Sequence, residues 1–431
     1  MPNVVQRRGM ARVSTSRMRM QPQISALVLC LLAMMLRLTI FIRQRSGGEY
    51  AALDGAAIVQ IGVVTLTLVF LGLNTQGFKR TYSMLRRTSG MTWLAYFALG
   101  GVMAVFSVSP AFAAYRSLEG LSQALALFVV LASIGNHRRT EKFALSLAWI
   151  VIVLDVIGAM KLAGWSQEAM ASNSVSASAA MVACYSFGEM LSADRRRRMW
   201  LGISFVTAIG VVVFGMSLAS WWSALLGLTL AGMLLRPHKA VIIALLLVML
   251  TAVLWGPQLT DAVVLRSRPI EDLNTLHGRT FLWENYWGVY KERPIRGYGF
   301  AMGARLPGVL QTTNTHNAFF SVLLGCGAIG LLVMGWTTFR FVNESWRGRF
   351  RGLPGWTGCT AAIVCGIANS MSLGFLGEAW MPASFVFAAI FCLHVLYIAP
   401  AALTSRQRRR PRHATVATPE SFALPVVPGA R

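Results

Sequence analysis

Residues 256–317 read GPQLTDAVVLRSRPIEDLNTLHGRTFLWENYWGVYKERPIRGYGFAMGARLPGVLQTTNTHN, a polar stretch between two long apolar runs. It holds seven bases, Arg266, Arg268, Arg279, Lys291, Arg293, Arg296 and Arg305. Five acids oppose them, Asp261, Glu271, Asp272, Glu284 and Glu292. The stretch closes on Thr315-His316-Asn317 at the mouth of the next apolar run. A basic pocket ending in a histidine at a membrane surface suits an anionic lipid headgroup that is bound and then reacted upon.

The surrounding chain is built for a bilayer. Of its 431 residues 55% are hydrophobic and only 13% are charged. A soluble domain carries about 25% charged residues. The formal charge of +24 would suggest nucleic acid in a soluble protein. Here the bases fall in short loops between apolar runs, where they set topology and meet anionic lipid. No nucleic-acid partner is expected. The cysteines, Cys30, Cys184, Cys326, Cys359, Cys365 and Cys392, lie within or beside apolar runs without metal-ligand spacing. They read as small buried apolar side chains.

A bilayer core takes about 20 apolar residues as helix, which gives about twelve spans. They cover roughly 24–42, 55–73, 91–107, 118–135, 143–163, 175–192, 200–217, 219–235, 239–256, 316–337, 356–374 and 381–400. The expected fold is therefore an all-α polytopic membrane protein with a large loop between the ninth and tenth spans. With the N-terminus inside, the inner loops hold Lys79, Arg80, Arg86 and Arg87, then Arg138, Arg139 and Lys142, then Arg195 to Arg198. Arg236, Lys239, Arg340, Arg347, Arg349 and Arg351 follow on the same side. That alternation predicts both termini in the cytoplasm and the 257–315 loop outside. Residues 1–400 would form one transmembrane domain. The Arg- and Pro-rich 401–431 tail would be disordered and cytoplasmic.

Within the loop, Thr280 to Tyr290 reads as a short helix, with Trp283 and Trp287 sharing one face. An amphipathic helix of this kind lies on the membrane with its tryptophans at the interface, which is compatible with a functional role. Arg293-Pro294 stops the helix, and Gly297 and Gly299 form a turn. His316 opens the tenth span beside Asn317. A histidine there is ordinarily a cap or an interfacial residue, but arginines close by keep an imidazole neutral at pH 7. A neutral imidazole accepts a proton from a sugar hydroxyl. Arginine forks grip two phosphate oxygens at once and stabilise the charge that develops on a leaving diphosphate. The outward loops carry no Asp-rich cluster, so arginines rather than a divalent metal are expected in that role. Elsewhere, Ser107-Val108-Ser109-Pro110 and Arg116 lie between the third and fourth spans on the outer side. Arg116 either snorkels or reaches the same pocket. Arg37 and Asp155 fall within apolar spans, where charges are usually paired or functional. Glu378 is a further pocket acid near the eleventh span.

The order Gly278-Arg279-x-x-x-Trp283, Arg293-Pro294-x-x-Gly297-Tyr298-Gly299, His316-Asn317 and Gly327-x-x-Gly330 resembles the O-antigen ligase and Wzy-type polysaccharide polymerase superfamily. The Ser107-x-x-Pro110 turn and the twelve-span plan fit as well. The resemblance implies a metal-independent glycosyltransferase without cofactor in the bacterial inner membrane. Such enzymes take glycan from an undecaprenyl-diphosphate-linked oligosaccharide on the periplasmic face. Ligases give it to lipid A core, and polymerases give it to the next lipid-linked repeat unit. By the same resemblance Arg279 binds diphosphate, and His316 is the base or orients the acceptor.

One departure stands out. Many members carry a Ser-Arg pair between the seventh and eighth spans. Here the turn reads Ser217-Leu218-Ala219-Ser220-Trp221-Trp222, with Trp221 at the arginine position. Arg116, Arg266 or Arg268 is then the candidate second diphosphate contact, and Trp221 is placed to stack on a sugar ring. The expected site has His316 and Arg279 at the chemistry. Arg266, Arg268, Arg293, Arg296, Tyr298, Asn317, Arg116 and Trp221 bind substrate around them. The expected function is a polysaccharide polymerase for exopolysaccharide or capsule, with O-antigen ligase and a lipid-glycan flippase as alternatives. Membrane lipid, a chain-length regulator and export proteins are the other expected partners.

Overall fold

The computed structural model describes residues 22–41, 54–163, 173–215, 217–235, 279–306, 315–349, 353–377 and 380–401. Its helices are α1 (Pro22–Thr39), α2 (Gly55–Leu73), α3 (Thr75–Leu85), α4 (Ser89–Met103), α5 (Pro110–Ile134), α6 (His137–Ala163), α7 (Asn173–Met190), α8 (Arg195–Phe214) and α9 (Leu218–Leu235). After them come α10 (Arg279–Glu292), α11 (Ala318–Arg349), α12 (Trp356–Leu373) and α13 (Pro382–Leu393), the last running into a π-turn, His394–Ile398. Eight of the helices are long and apolar enough to cross a membrane. The protein is a helical, polytopic membrane protein. Eight of the expected spans fall on these eight helices; 175–192, 219–235 and 356–374 fall on α7, α9 and α12, which are not among the eight, and 239–256 lies outside the described residues.

Helix α7 is the axis of the bundle. Most of its side chains are small, and both its Ala–Ser run 176–180 and the following Met181 to Ser186 are fully buried. A helix without a polar face belongs in the middle of a bundle, and small residues let neighbours approach closely. Helices α8, α9 and α12 pack around it. Helix α2 instead turns Ile58, Val59, Ile61, Leu66, Val69 and Leu73 outward, as a lipid-facing helix must.

The basic connections gather at one end, as their alternation along the chain requires. There Arg340 donates to the Arg87 carbonyl oxygen, and Arg138 pairs with Asp194 at 3.2 Å. Two buried glutamates tie this end together. Glu189 on α7 accepts from the Gly355 and Gly358 amides (2.9 and 3.1 Å) at the start of α12. It also takes Arg197 at 2.8 Å, while Arg197 holds Glu141 of α6 at 2.6 Å. Glu344 of α11 accepts from the Ser89 amide and hydroxyl (2.7 and 2.6 Å) at the start of α4. Each glutamate thus satisfies the open N–H groups of another helix's first turn. Glu189→Ala should cost about 3–5 kcal/mol, because Arg197 and two amides lose a buried partner. A fall in the detergent melting midpoint checks this, and Glu189→Gln should recover part of it.

Two elements differ from the sequence expectation. Helix α3 is a separate amphipathic helix in a segment read as loop. Asn74 opens it by accepting from the Gly77 amide at 3.1 Å, and Phe78 and Tyr82 are exposed. Helix α11 runs for 32 residues but breaks at Gly327, whose φ of 63° and ψ of −161° are not helical. That break positions the candidate site.

Candidate functional site

The Gly327 break leaves helical groups open, and the loop ahead of α11 closes onto them. The Tyr298 and Gly299 amides donate to the Leu324 and Gly325 carbonyl oxygens (2.7 and 2.9 Å). The Ala328 amide donates to the Pro294 carbonyl oxygen at 2.8 Å. On its far side the loop meets the turn before α5, where the Val108 amide donates to the Tyr298 carbonyl oxygen at 3.3 Å. Ser107 caps that turn by accepting from the Ser109 amide at 3.1 Å. The glycines are there because backbone meets backbone. A Cβ on Gly299 would lie 2.1 Å from Ser107 Oγ, and one on Gly327 would lie 2.2 Å from the Ile295 carbonyl oxygen. Both also have positive φ, 111° and 63°. Gly327→Ala should therefore cost about 2–5 kcal/mol through strain and overlap. Faster proteolysis within 279–306, with the inner end still folded, is the expected sign.

Helix α10 packs along the N-terminal half of α11. Trp283 stacks on Phe320 with ring centroids 6.1 Å apart, and Tyr286, fully buried, meets the same ring at 6.1 Å. Further along, Tyr298 donates its hydroxyl to Glu292 Oε2 (2.7 Å), with the Val289 carbonyl oxygen 3.0 Å away. Burial and Glu292 push this phenol up to about 12, so it stays a donor at neutral pH. Trp283 lies by Phe320, whereas Val289 and Glu292 lie by Tyr298, which pairs with Leu324. The two helices therefore run in the same direction. Their N-termini, Arg279 and the His316-Asn317 pair, share one end. The tryptophans do not act alike: Trp283 is tucked against α11 while Trp287 is exposed beside Tyr290.

The start of α11 is built by its neighbours. The helix begins at Ala318, and Asn317 caps it by accepting from the Phe319 amide at 2.8 Å. Thr315, buried, is hydrogen-bonded to Ser321 and to the Asn317 carbonyl oxygen. His316 lies between them, half-buried, with φ of 53°. Histidine is among the side chains that tolerate this left-handed region, though few residues occupy it without a reason. Asn317, expected to bind substrate, thus commits its carbonyl oxygen to the cap. Tyr298, expected in the same role, is buried and commits its hydroxyl to Glu292.

Four arginines lie against two phenylalanines, Phe106 before the turn that leads into α5 and Phe112 on the first turn of α5. Arg296 lies 5.0 Å over the Phe106 ring, and Arg293 reaches the Phe106 carbonyl oxygen at 3.5 Å while lying 4.9 Å over Tyr298. Arg116 and Arg305 both face Phe112, at 5.1 and 5.8 Å. Arg116 does not snorkel. It pairs at 2.8 Å with the buried Glu119, which is also bound by Gln60 of α2. Arg305 is the residue whose place the sequence reading missed. It counts among the loop bases, but only its docking on Phe112 brings it to the group. Between residues 279 and 306 the bases are Arg279, Lys291, Arg293, Arg296 and Arg305, against Glu284 and Glu292. The surface suits an anion. Among the described residues no group of three His, Cys, Asp or Glu side chains could hold a metal.

The family comparison fits this end of the molecule. Residues 203–335 match the family model for O-antigen ligase. The chain carries an O-antigen ligase domain. No curated protein matches the chain. The O-antigen ligase domain runs from α8 to just beyond the break in α11, so it contains Trp221, α10, the clasping loop and His316. The match covers less than half of the chain, and it is what this segment is similar to.

The turn before α5 and Arg116 on α5 lie outside the matched segment, yet the turn closes the clasp and Arg116 lies against Phe112. Trp221 lies within the segment on α9, which packs chiefly on α7 and α12. Its indole N–H is buried without a hydrogen-bond partner. Next to it Ser220 accepts from Asn369 of α12 at 3.0 Å and pairs with Ser217 at 3.1 Å. Arg266, Arg268 and Glu378 lie outside the described residues.

Proposed function

We propose that the chain is a polysaccharide polymerase that joins undecaprenyl-diphosphate-linked repeat units at the periplasmic face of the inner membrane. What supports this reading is the O-antigen ligase match over 203–335, which takes in Arg279 and His316 at the neighbouring N-termini of α10 and α11 and the arginines of the loop that follows α10. In the reaction an acceptor hydroxyl oxygen attacks the anomeric carbon of the donor glycan. His316 takes the hydroxyl proton. The bond from that carbon to the diphosphate oxygen breaks, and the diphosphate leaves with the electron pair. Arg279 binds the leaving diphosphate, and Arg116, Arg293, Arg296 and Arg305 add positive charge, so the transition state is stabilised without a metal. Arg116 is half-neutralised by Glu119, which makes it a positioning partner more than a full counter-charge.

The reading places twelve spans in the membrane, with the ninth at 239–256, both termini in the cytoplasm and 257–315 outside. The absence of arginine at Trp221 favours polymerase over ligase. Purified protein supplied with lipid-linked oligosaccharide and with lipid A core separates the readings on a gel. A ladder of lengthening glycan on the carrier lipid supports the polymerase. Transfer to lipid A core alone makes the protein a ligase with the same site. No transfer by folded protein to either acceptor overturns the enzyme reading and favours a flippase.

A further inference from the structure

At the end opposite the candidate site, a cleft of about 920 Å³ opens between α6 and α8. Both helices pack on α7, and they meet each other through Arg197 on Glu141 and Trp149 on Ser204. The mouth carries Arg138, Arg139 and Lys142 on α6 and Arg196 and Arg197 on α8. Two acids share it, and both are taken: Glu141 by Arg197 at 2.6 Å and Asp194 by Arg138 at 3.2 Å. Arg139, Lys142 and Arg196 face no acid among the described residues, and all three are exposed.

Below the mouth the lining turns apolar. Leu145 and Trp149 continue the α6 wall, and Trp200, Ile203 and Thr207 continue the α8 wall. Trp149 Nε1 donates to Ser204 Oγ at 3.1 Å, and Ser204 joins Ser186 of α7 at 3.0 Å, which closes the floor with satisfied polar groups. From Arg138 to Trp149 the α6 wall descends about 16 Å at 1.5 Å per residue. That is about half the thickness of a hydrocarbon core.

We propose that this cleft binds one acidic phospholipid from the leaflet at this end. Its phosphate sits among Arg139, Lys142 and Arg196, and an acyl chain lies along Leu145, Trp149 and Ile203. The charge suits an anion, because three cations face no acid among the described residues. The depth and the apolar walls require a chain that continues into the bilayer, which a free phosphate or an acidic peptide does not supply. The site is separate from the outer arginines and does not depend on the polymerase reading.

The test titrates phosphatidylglycerol and phosphatidylcholine onto purified full-length protein in detergent, with bound lipid counted by native mass spectrometry. Wild type should prefer phosphatidylglycerol by about tenfold or more, since each base near a headgroup contributes separately. A triple variant, Arg139→Gln, Lys142→Gln and Arg196→Gln, should lose that preference and keep its melting midpoint. Ser146→Trp, which fills the cleft without touching a cation, should weaken binding of the acidic lipid as well. Equal binding of the two lipids by wild type overturns the proposal. So does a preference that survives both the triple variant and Ser146→Trp.

Discussion

Replacing His316 by alanine should lower glycan transfer by about 10²–10⁴-fold, the usual contribution of a positioned general base. The loss should appear in single-turnover transfer from lipid-linked oligosaccharide, with little change in donor binding, because the imidazole acts on the acceptor hydroxyl. The backbone complicates this variant. His316 has φ of 53°, and alanine there costs about 1–2 kcal/mol. His316→Asn separates the two effects, since asparagine tolerates the left-handed region but offers no base. Asparagine should restore the melting midpoint and leave transfer low. Full activity in His316→Asn would remove the histidine from the chemistry and leave it a structural residue at the helix start.

Arg279→Ala should lower kcat by about 10²–10³-fold, as removal of one preorganised donor to a developing anion does. Arg279 begins α10 at the same end as His316, held there by Trp283 and Tyr286 on Phe320. The conservative change is the sharper test. Lysine keeps the charge but lacks the planar fork that grips two phosphate oxygens, so Arg279→Lys should recover only a small part of the rate. Wild-type kinetics in Arg279→Lys would reduce the residue to a general positive field. Arg296→Ala should have a smaller effect, because its guanidinium lies over the Phe106 ring and is exposed. Measuring kcat and KM for the three variants side by side distinguishes grip from field.

Much of the helical plan was legible, because a span must be apolar for most of its length and no competing pattern imitates that. The stop of α10 at Arg293-Pro294 was legible for an equally local reason: a proline disfavours helix in the residue before it. The break in α11 was not. Gly327 sits inside an apolar run, and only Tyr298 and Gly299 arriving at Leu324 and Gly325 show why the helix opens there. Helix α3 was missed because its bases read as a topology signal, although its apolar face packs on α5. At the candidate site, residue type did not show which contacts each side chain makes. Asn317 and Tyr298 look like ligands in sequence, yet their polar atoms serve a cap and a clasp. Arg305 looked like background charge until Phe112 fixed its position. The roles depend on contacts between residues far apart in the chain, such as Ser107 with Gly299, and no local pattern encodes them.

The break in α11 also bears on how the chain is threaded into the bilayer. The loop at 279–306 leaves the ribosome before α11 does. The Leu324 and Gly325 carbonyls are then waiting groups, and in hydrocarbon each bare one costs several kcal/mol. They find partners only if Tyr298 and Gly299 lie on the same side as the start of α11. A chain inserted with the loop on the wrong side leaves both carbonyls stranded, so the misthreaded form is disfavoured by the helix itself. Correct sidedness and assembly of the arginine surface thus become one event, ordered by translation.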